Sequence, residues 1–137
     1  MAISFQNQAI EFKLSEKIKI KSWVKKIVEL EKKKLGQVNF VFTVDKELLK
    51  INIQFLNHNT YTDIITFDYC DEKTINGDII ISVERVKENA NKFKVDFESE
   101  IKRVIIHGVF HLCGYKDKTT KDATEMKTKE NWALKKF

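Results

Sequence analysis

The sequence predicts an α+β fold: a mixed β-sheet of about four strands covered by about five helices, organised around one buried helix that carries two histidines. Two patterns lead there. Short runs that alternate, or that are rich in β-branched and aromatic residues, interleave with segments whose apolar residues recur every three to four positions. Toward the end the helical period takes over, and there His107 and His111 interrupt an apolar run that begins at Val104.

The first strand is expected within Ala2 to Phe12, where Ile3 and Phe5 alternate with polar residues. Ser15 can cap a helix whose buried stripe is Ile20, Trp23, Val24, Ile27 and Leu30, extending to Leu35, with Gly36 as its stop. Val38 to Val44 reads as a second strand, and Asp45 can cap a short helix with Leu48, Ile51 and Phe55 on one side. The polar stretch Leu56 to Thr60 marks a loop. Tyr61 to Tyr69 and Asp78 to Val83 are expected to pair antiparallel, with Asn76-Gly77 as a turn signal between them. A helix from Glu84 buries Val86, Ala90 and Phe93. Asp96 then caps the histidine helix, placing Glu98 and Glu100 in its first turn. Thr119 or Thr120 caps a last helix with Met126, Ala133 and Phe137 as its apolar stripe.

At 137 residues the chain is expected to form one domain, residues 1–137, with enough length for a sizeable core. It has no run near the roughly 20 apolar residues of a membrane span and no signal-peptide pattern at Met1 to Ile10, so a cytoplasmic protein with no membrane partner is expected. Cys70 and Cys113 are the two cysteines, too few for a disulfide framework, which points to free thiols in a reducing compartment. The net charge of +5 permits an anionic partner such as nucleic acid, although lysine-rich helix faces are more often simply solvated.

The chemistry is expected between Val104 and Lys118. His107 and His111 are four residues apart, so on a helix both imidazoles lie on one face and can share a metal. Gly114 stops the helix, and Asp117 can fold back as a third ligand. This is the spacing with which the metal helix of metzincin-type proteases grips zinc, with aspartate where the third histidine is usual. Two histidines and a carboxylate leave a fourth position for water, which is a catalytic arrangement. Gly108 occupies the place of the proteases' glutamate base, so peptide hydrolysis is disfavoured. Cys113 points to another face of the helix and reads as a small buried residue.

The stretch His107-Gly108-Val109-Phe110-His111-Leu112-Cys113-Gly114-Tyr115 resembles the H-G-x-x-H-L-x-G-Y-D-H signature of the YbeY family of bacterial ribosomal-RNA maturation endoribonucleases. Thr62-Asp63-Ile64-Ile65-Thr66-Phe67 and Gly77-Asp78-Ile79-Ile80-Ile81-Ser82 are similar to two strands of the same family, in the same order. The resemblance implies a zinc-dependent, single-strand-specific endoribonuclease acting in ribosomal-RNA maturation and ribosome quality control. It implies that a metal-bound water attacks the phosphodiester, and that the RNA of the small ribosomal subunit, ribosomal proteins or a GTPase are partners. Two departures stand out: Lys116-Asp117 replaces the family's Asp-His, and Leu56 to Tyr61 lacks the family's arginine. Ungapped, the match places Asp117 at the third metal position; shifted by one residue it would place Lys118 there. His58, Arg103, Lys116 and Lys118 are the residues expected to meet substrate. The competing reading is a non-catalytic RNA- or ribosome-binding factor whose metal only staples the helix to the following turn.

Overall fold

Period-two alternation divides the sheet residues between two hydrophobic layers. The computed structural model describes residues 2–56 and 62–137. Among them the strands are β1 (Ile3–Asn7), β2 (Lys34–Thr43), β3 (Ile64–Asp68) and β4 (Thr74–Ser82), in spatial order β1-β2-β4-β3. β1 runs parallel to β2 and β2 parallel to β4, while β3 pairs antiparallel with β4 and forms one edge. Phe40 pairs with Ile79 and Phe42 with Ile81, so these residues share one face. That face is covered by α1 (Lys17–Leu30), α3 (Val83–Phe93), α4 (Phe97–Leu112) and α5 (Thr120–Leu134), which contribute the main core. Ile65 and Ile80 face the other way and pack with Leu48 of α2 (Asp45–Leu56). The expected α+β architecture, a mixed sheet with helical cover, is what the chain adopts.

Several boundaries differ from the sequence reading, for local physical reasons. Glu16, with φ 59°, precedes α1 in place of Ser15 and makes no side-chain cap. The helix ends at Leu30, and Lys32 turns the chain with φ 60°, so Leu35 and Gly36 belong to β2. Gly36 does not stop a helix: a Cβ there would lie 2.2 Å from Asn76 Oδ1, which accepts the Gln37 N–H at 2.8 Å. The absent side chain makes room for that cross-strand bond. Asn76 and Gly77 lie inside β4 and form no turn; a Cβ on Gly77 would meet the Phe67 carbonyl at 2.6 Å. The chain reverses at residues 69–73 instead. Asp45 spends its carboxylate on Ser82 Oγ at 2.6 Å and Arg85 at 2.9 Å, tying α2 to α3. Phe93 and Phe55 are mostly exposed, Phe55 resting edge-on against Phe67.

The caps that frame the functional region are those expected. Asp96 accepts the Ser99 N–H at 2.7 Å, and Thr119 accepts the Asp122 N–H at 3.0 Å. At the end of α4, Tyr115 N–H reaches the Phe110 carbonyl and Gly114 N–H the His111 carbonyl, each at 3.0 Å. This Schellman closure needs a left-handed residue, supplied by Gly114 at φ 106°. The Tyr115 ring packs edge-on against Phe110 with centroids 5.5 Å apart, completing the motif. The turn returns residues 115–117 to the helix face they have just left.

Candidate metal centre

The apolar content of α4 sinks it against the sheet, and Gly108 sets how closely. A Cβ at Gly108 would lie 2.9 Å from both Ile64 Cδ1 and Ile79 Cγ2, so the bare backbone rests on β3 and β4. One position earlier, His107 is thereby held beside the edge strand. An open cleft of about 620 Å³ runs between α4 and residues 62–66, and His107, His111 and Asp117 all line it.

The two imidazoles are oriented from behind. His111 Nδ1 lies 3.0 Å from the Tyr115 carbonyl, which only accepts, so Nδ1 carries the proton. His107 Nδ1 lies 2.6 Å from a carboxylate oxygen of Glu130 and donates to it in the same way. In the neutral rings both Nε2 atoms therefore present lone pairs, and these face each other at 2.9 Å. Asp117 Oδ2 lies 3.2 Å from His107 Nε2 and 3.4 Å from His111 Nε2. Three acceptors converge with no donor of their own among them, an arrangement that calls for a cation. Two nitrogens bound to one tetrahedral zinc would be about 3.3 Å apart, so the triangle of donor atoms has the size such an ion requires. Aspartate in the third position fits the hard, charged side of zinc chemistry. Burial pulls the His107 pKa down, but the Glu130 hydrogen bond and the charges of Glu130, Asp117 and Asp63 outweigh it and raise the net value. The same negative surroundings that attract a proton favour a metal ion competing for that nitrogen.

Glu130 is the functional residue that the sequence reading missed. Its side chain is 9 % exposed, and it divides its oxygens between His107 and Arg103, the latter at 2.8 Å. Its signal was present: Glu130 stands in the buried stripe between Met126 and Ala133 on α5, where an apolar residue would be ordinary. Tyr115 adds a second brace, its hydroxyl donating to Glu31 at 2.6 Å, while Lys129 also holds Glu31 at 2.8 Å. The carbonyl that orients His111 is thus tied to α1 and α5.

The other expected site residues are placed less centrally. Arg103 lines the cleft, but its guanidinium is engaged by Glu130 and by Asn131 at 2.8 Å. Lys116 and Lys118 flank Asp117 as exposed residues outside the cleft lining. His58 lies outside the described residues. Cys113 is partly buried, with burial first among the causes that push its thiol up to about 12, and it does not join the donor cluster. The cleft also contains Asp63 and Glu100, so its charged lining is mostly acidic.

A protein-family model, described as endoribonuclease YbeY, matches residues 3–137. The chain belongs to that family. It is 51% identical over 135 residues to the endoribonuclease YbeY of Flavobacterium psychrophilum, covering 98% of this chain and 96% of the relative. Identity to the Bacteroides fragilis endoribonuclease YbeY is 40% over 134 residues, again 98% of this chain and 96% of the relative. The fold is similar to the solution structure of TM1509 from Thermotoga maritima, with a TM-score of 0.68 and 31% identity. That match spans 96% of this chain and 86% of the other. Among the described residues no helix is long and apolar enough to cross a membrane.

In this YbeY chain, Glu130→Gln should weaken metal binding about 10- to 100-fold, the usual consequence of losing a carboxylate behind a metal-binding histidine. The amide keeps the shape but removes the charge that holds the His107 proton on Nδ1. Competition against a zinc indicator dye checks this; unchanged affinity would mean that Glu130 serves Arg103 alone.

Proposed function

We propose that this chain is a zinc-dependent, single-strand-specific endoribonuclease acting in ribosomal-RNA maturation and ribosome quality control. On this reading it works in the cytoplasm on RNA of the small ribosomal subunit, with ribosomal proteins or a GTPase directing it. The observation that carries the reading is the convergence of His107 Nε2, His111 Nε2 and Asp117 Oδ2 on one point in an open cleft. Three protein donors leave a position for water or a substrate oxygen. Zinc bound there supplies an acidified water and a Lewis acid for the phosphoryl oxygens.

The chain's own residues do the rest. Glu130 and the Tyr115 carbonyl keep both Nδ1 atoms protonated, so the Nε2 lone pairs stay directed into the cleft. On this reading an unpaired strand lays its splayed bases along the cleft between α4 and residues 62–66, the form in which RNA bases are ordinarily recognised. The net charge of +5 favours approach of a polyanion, and Lys116, Lys118 and Arg103 are the cations nearest the donor cluster in sequence, with His58 a further candidate contact.

The test is a zinc titration of chelator-stripped protein, reading bound zinc, melting temperature and cleavage of matched single-stranded and duplex RNA. One zinc per chain should raise the melting temperature and restore cleavage of the single strand only. Zinc-loaded protein that binds RNA without cutting it would instead favour the metal-stapled, non-catalytic reading.

A further inference from the structure

Glu100 is a largely buried carboxylate that takes no part in the metal cluster and makes no hydrogen bond within the described fold. Its position in the first turn of α4 suits the helix dipole, yet the residue is only 6 % exposed and lines the cleft. Among the described residues no hydrogen bond or ion pair reaches its carboxylate. Arg103, on the same helix, is turned away to Glu130 and Asn131. Burial raises the Glu100 pKa; Arg103 opposes the rise, and the charges of Asp63 and Glu130 add to it. Asp63, on the facing wall, is likewise raised by burial, and its Oδ2 has a 3.5 Å contact from Asn89. Burying that carboxylate costs desolvation energy that the helix N-terminus and the Arg103 charge offset only in part, and no hydrogen bond from the described residues completes it. Its opening onto the cleft directs the missing partner to the solvent side, as a ligand bearing hydrogen-bond donors.

The position narrows the ligand. His107 lies two helical turns further along α4, about 10 Å away along the axis. A group bound at Glu100 therefore belongs to a nucleotide beside the one at the metal ligands. An ionised carboxylate is acceptor-only, with two oxygens. Uracil flanks its N–H with two carbonyls, and adenine and cytosine set an amino group beside a ring acceptor. Guanine alone among the four bases offers two N–H donors side by side on its Watson–Crick edge. Asp63 opposite would repel edges that present acceptors.

We infer that Glu100 is a base-recognition residue, its carboxylate accepting N1–H and N2–H of an unpaired guanine that flanks the phosphate at the metal ligands. This rests on the RNA reading above, and its test is separable from that reading because it measures binding. The probes are three 2′-O-methyl oligonucleotides, which resist cleavage: a uridine tract with one guanine, the same tract with inosine, which lacks the N2 amino group, and uridine throughout. Zinc-loaded wild type should bind the guanine strand about tenfold more tightly than the inosine strand, and more tightly still than uridine alone. Glu100→Gln should bring both ratios toward one, keep its zinc, and melt at a higher temperature because a buried charge is gone. Equal or undetectable binding of the three strands by wild type overturns the inference, as does a Gln variant that weakens all three equally. Wild type that discriminates among the strands yet cuts no unmodified RNA would support the base site and sink the endoribonuclease reading instead.

Discussion

His111→Ala should leave a folded protein with almost no bound zinc and no RNA cleavage. The imidazole supplies one of the converging atoms, 2.9 Å from His107 Nε2 and 3.4 Å from Asp117 Oδ2, and no other described donor is in position to replace it. A pair consisting of His107 and a half-exposed carboxylate cannot hold the ion at ordinary zinc concentrations. Loss of Lewis-acid stabilisation amounts to several kcal/mol, on the order of a thousandfold or more in rate. The fold should survive, because the His111 side chain is partly solvent-exposed and rests on the loop carbonyl of Tyr115 while the core packs on the opposite faces of α4. The control is metal-free wild type, whose melting temperature the variant should approach. Inductively coupled plasma analysis and a cleavage assay on the same preparation check the result. Cleavage that persists without zinc would rule out the role given to this cluster. Asp117→Ala should be milder, since both histidines remain.

The metal helix was legible in the sequence because its information is local. Four-residue spacing places His107 and His111 on one face, Asp96 caps the start, and Gly114 closes the end by a motif confined to residues 110–115. The second strand was legible because Val38 to Val44 is rich in β-branched and aromatic residues, of which Phe40 and Phe42 enter the main core beside Ile79 and Ile81. Two of the errors arose where a glycine or asparagine answers to a partner far along the chain. Gly36 and Asn76 resemble helix-stop and turn residues, yet they sit opposite each other in adjacent strands and exchange space for a hydrogen bond. Glu130 was missed for the same reason: its meaning depends on His107 and Arg103, 23 and 27 residues away. A carboxylate in a buried stripe was the available signal, and it applies equally to Glu100, which the sequence reading assigned to the helix dipole alone.

The glycine between the histidine and the sheet should be the most sensitive backbone position of the site. In Gly108→Ala the added methyl enters a gap whose nearest atoms are Ile64 Cδ1 and Ile79 Cγ2 at 2.9 Å and Ile79 Cδ1 at 3.2 Å. Ile64 can swing its terminal methyl aside, but Ile79 is fully buried and its Cγ2 is fixed by the branch at Cβ. Alanine gains about 1 kcal/mol in helix propensity, while overpacking costs about 1–3 kcal/mol. The net effect should be a loss of up to about 2 kcal/mol, visible as a melting temperature lower by several degrees. Gly108→Glu, which would complete the protease-like motif, meets the same wall with a longer side chain and an unpaired charge, and burying that charge adds several kcal/mol. It should fail to accumulate as folded protein and should show no peptidase activity. A stable, zinc-loaded Gly108→Glu variant would mean that α4 can lift away from β3 and β4, and would undo the argument that this close approach is what sets His107 at the edge of the cleft.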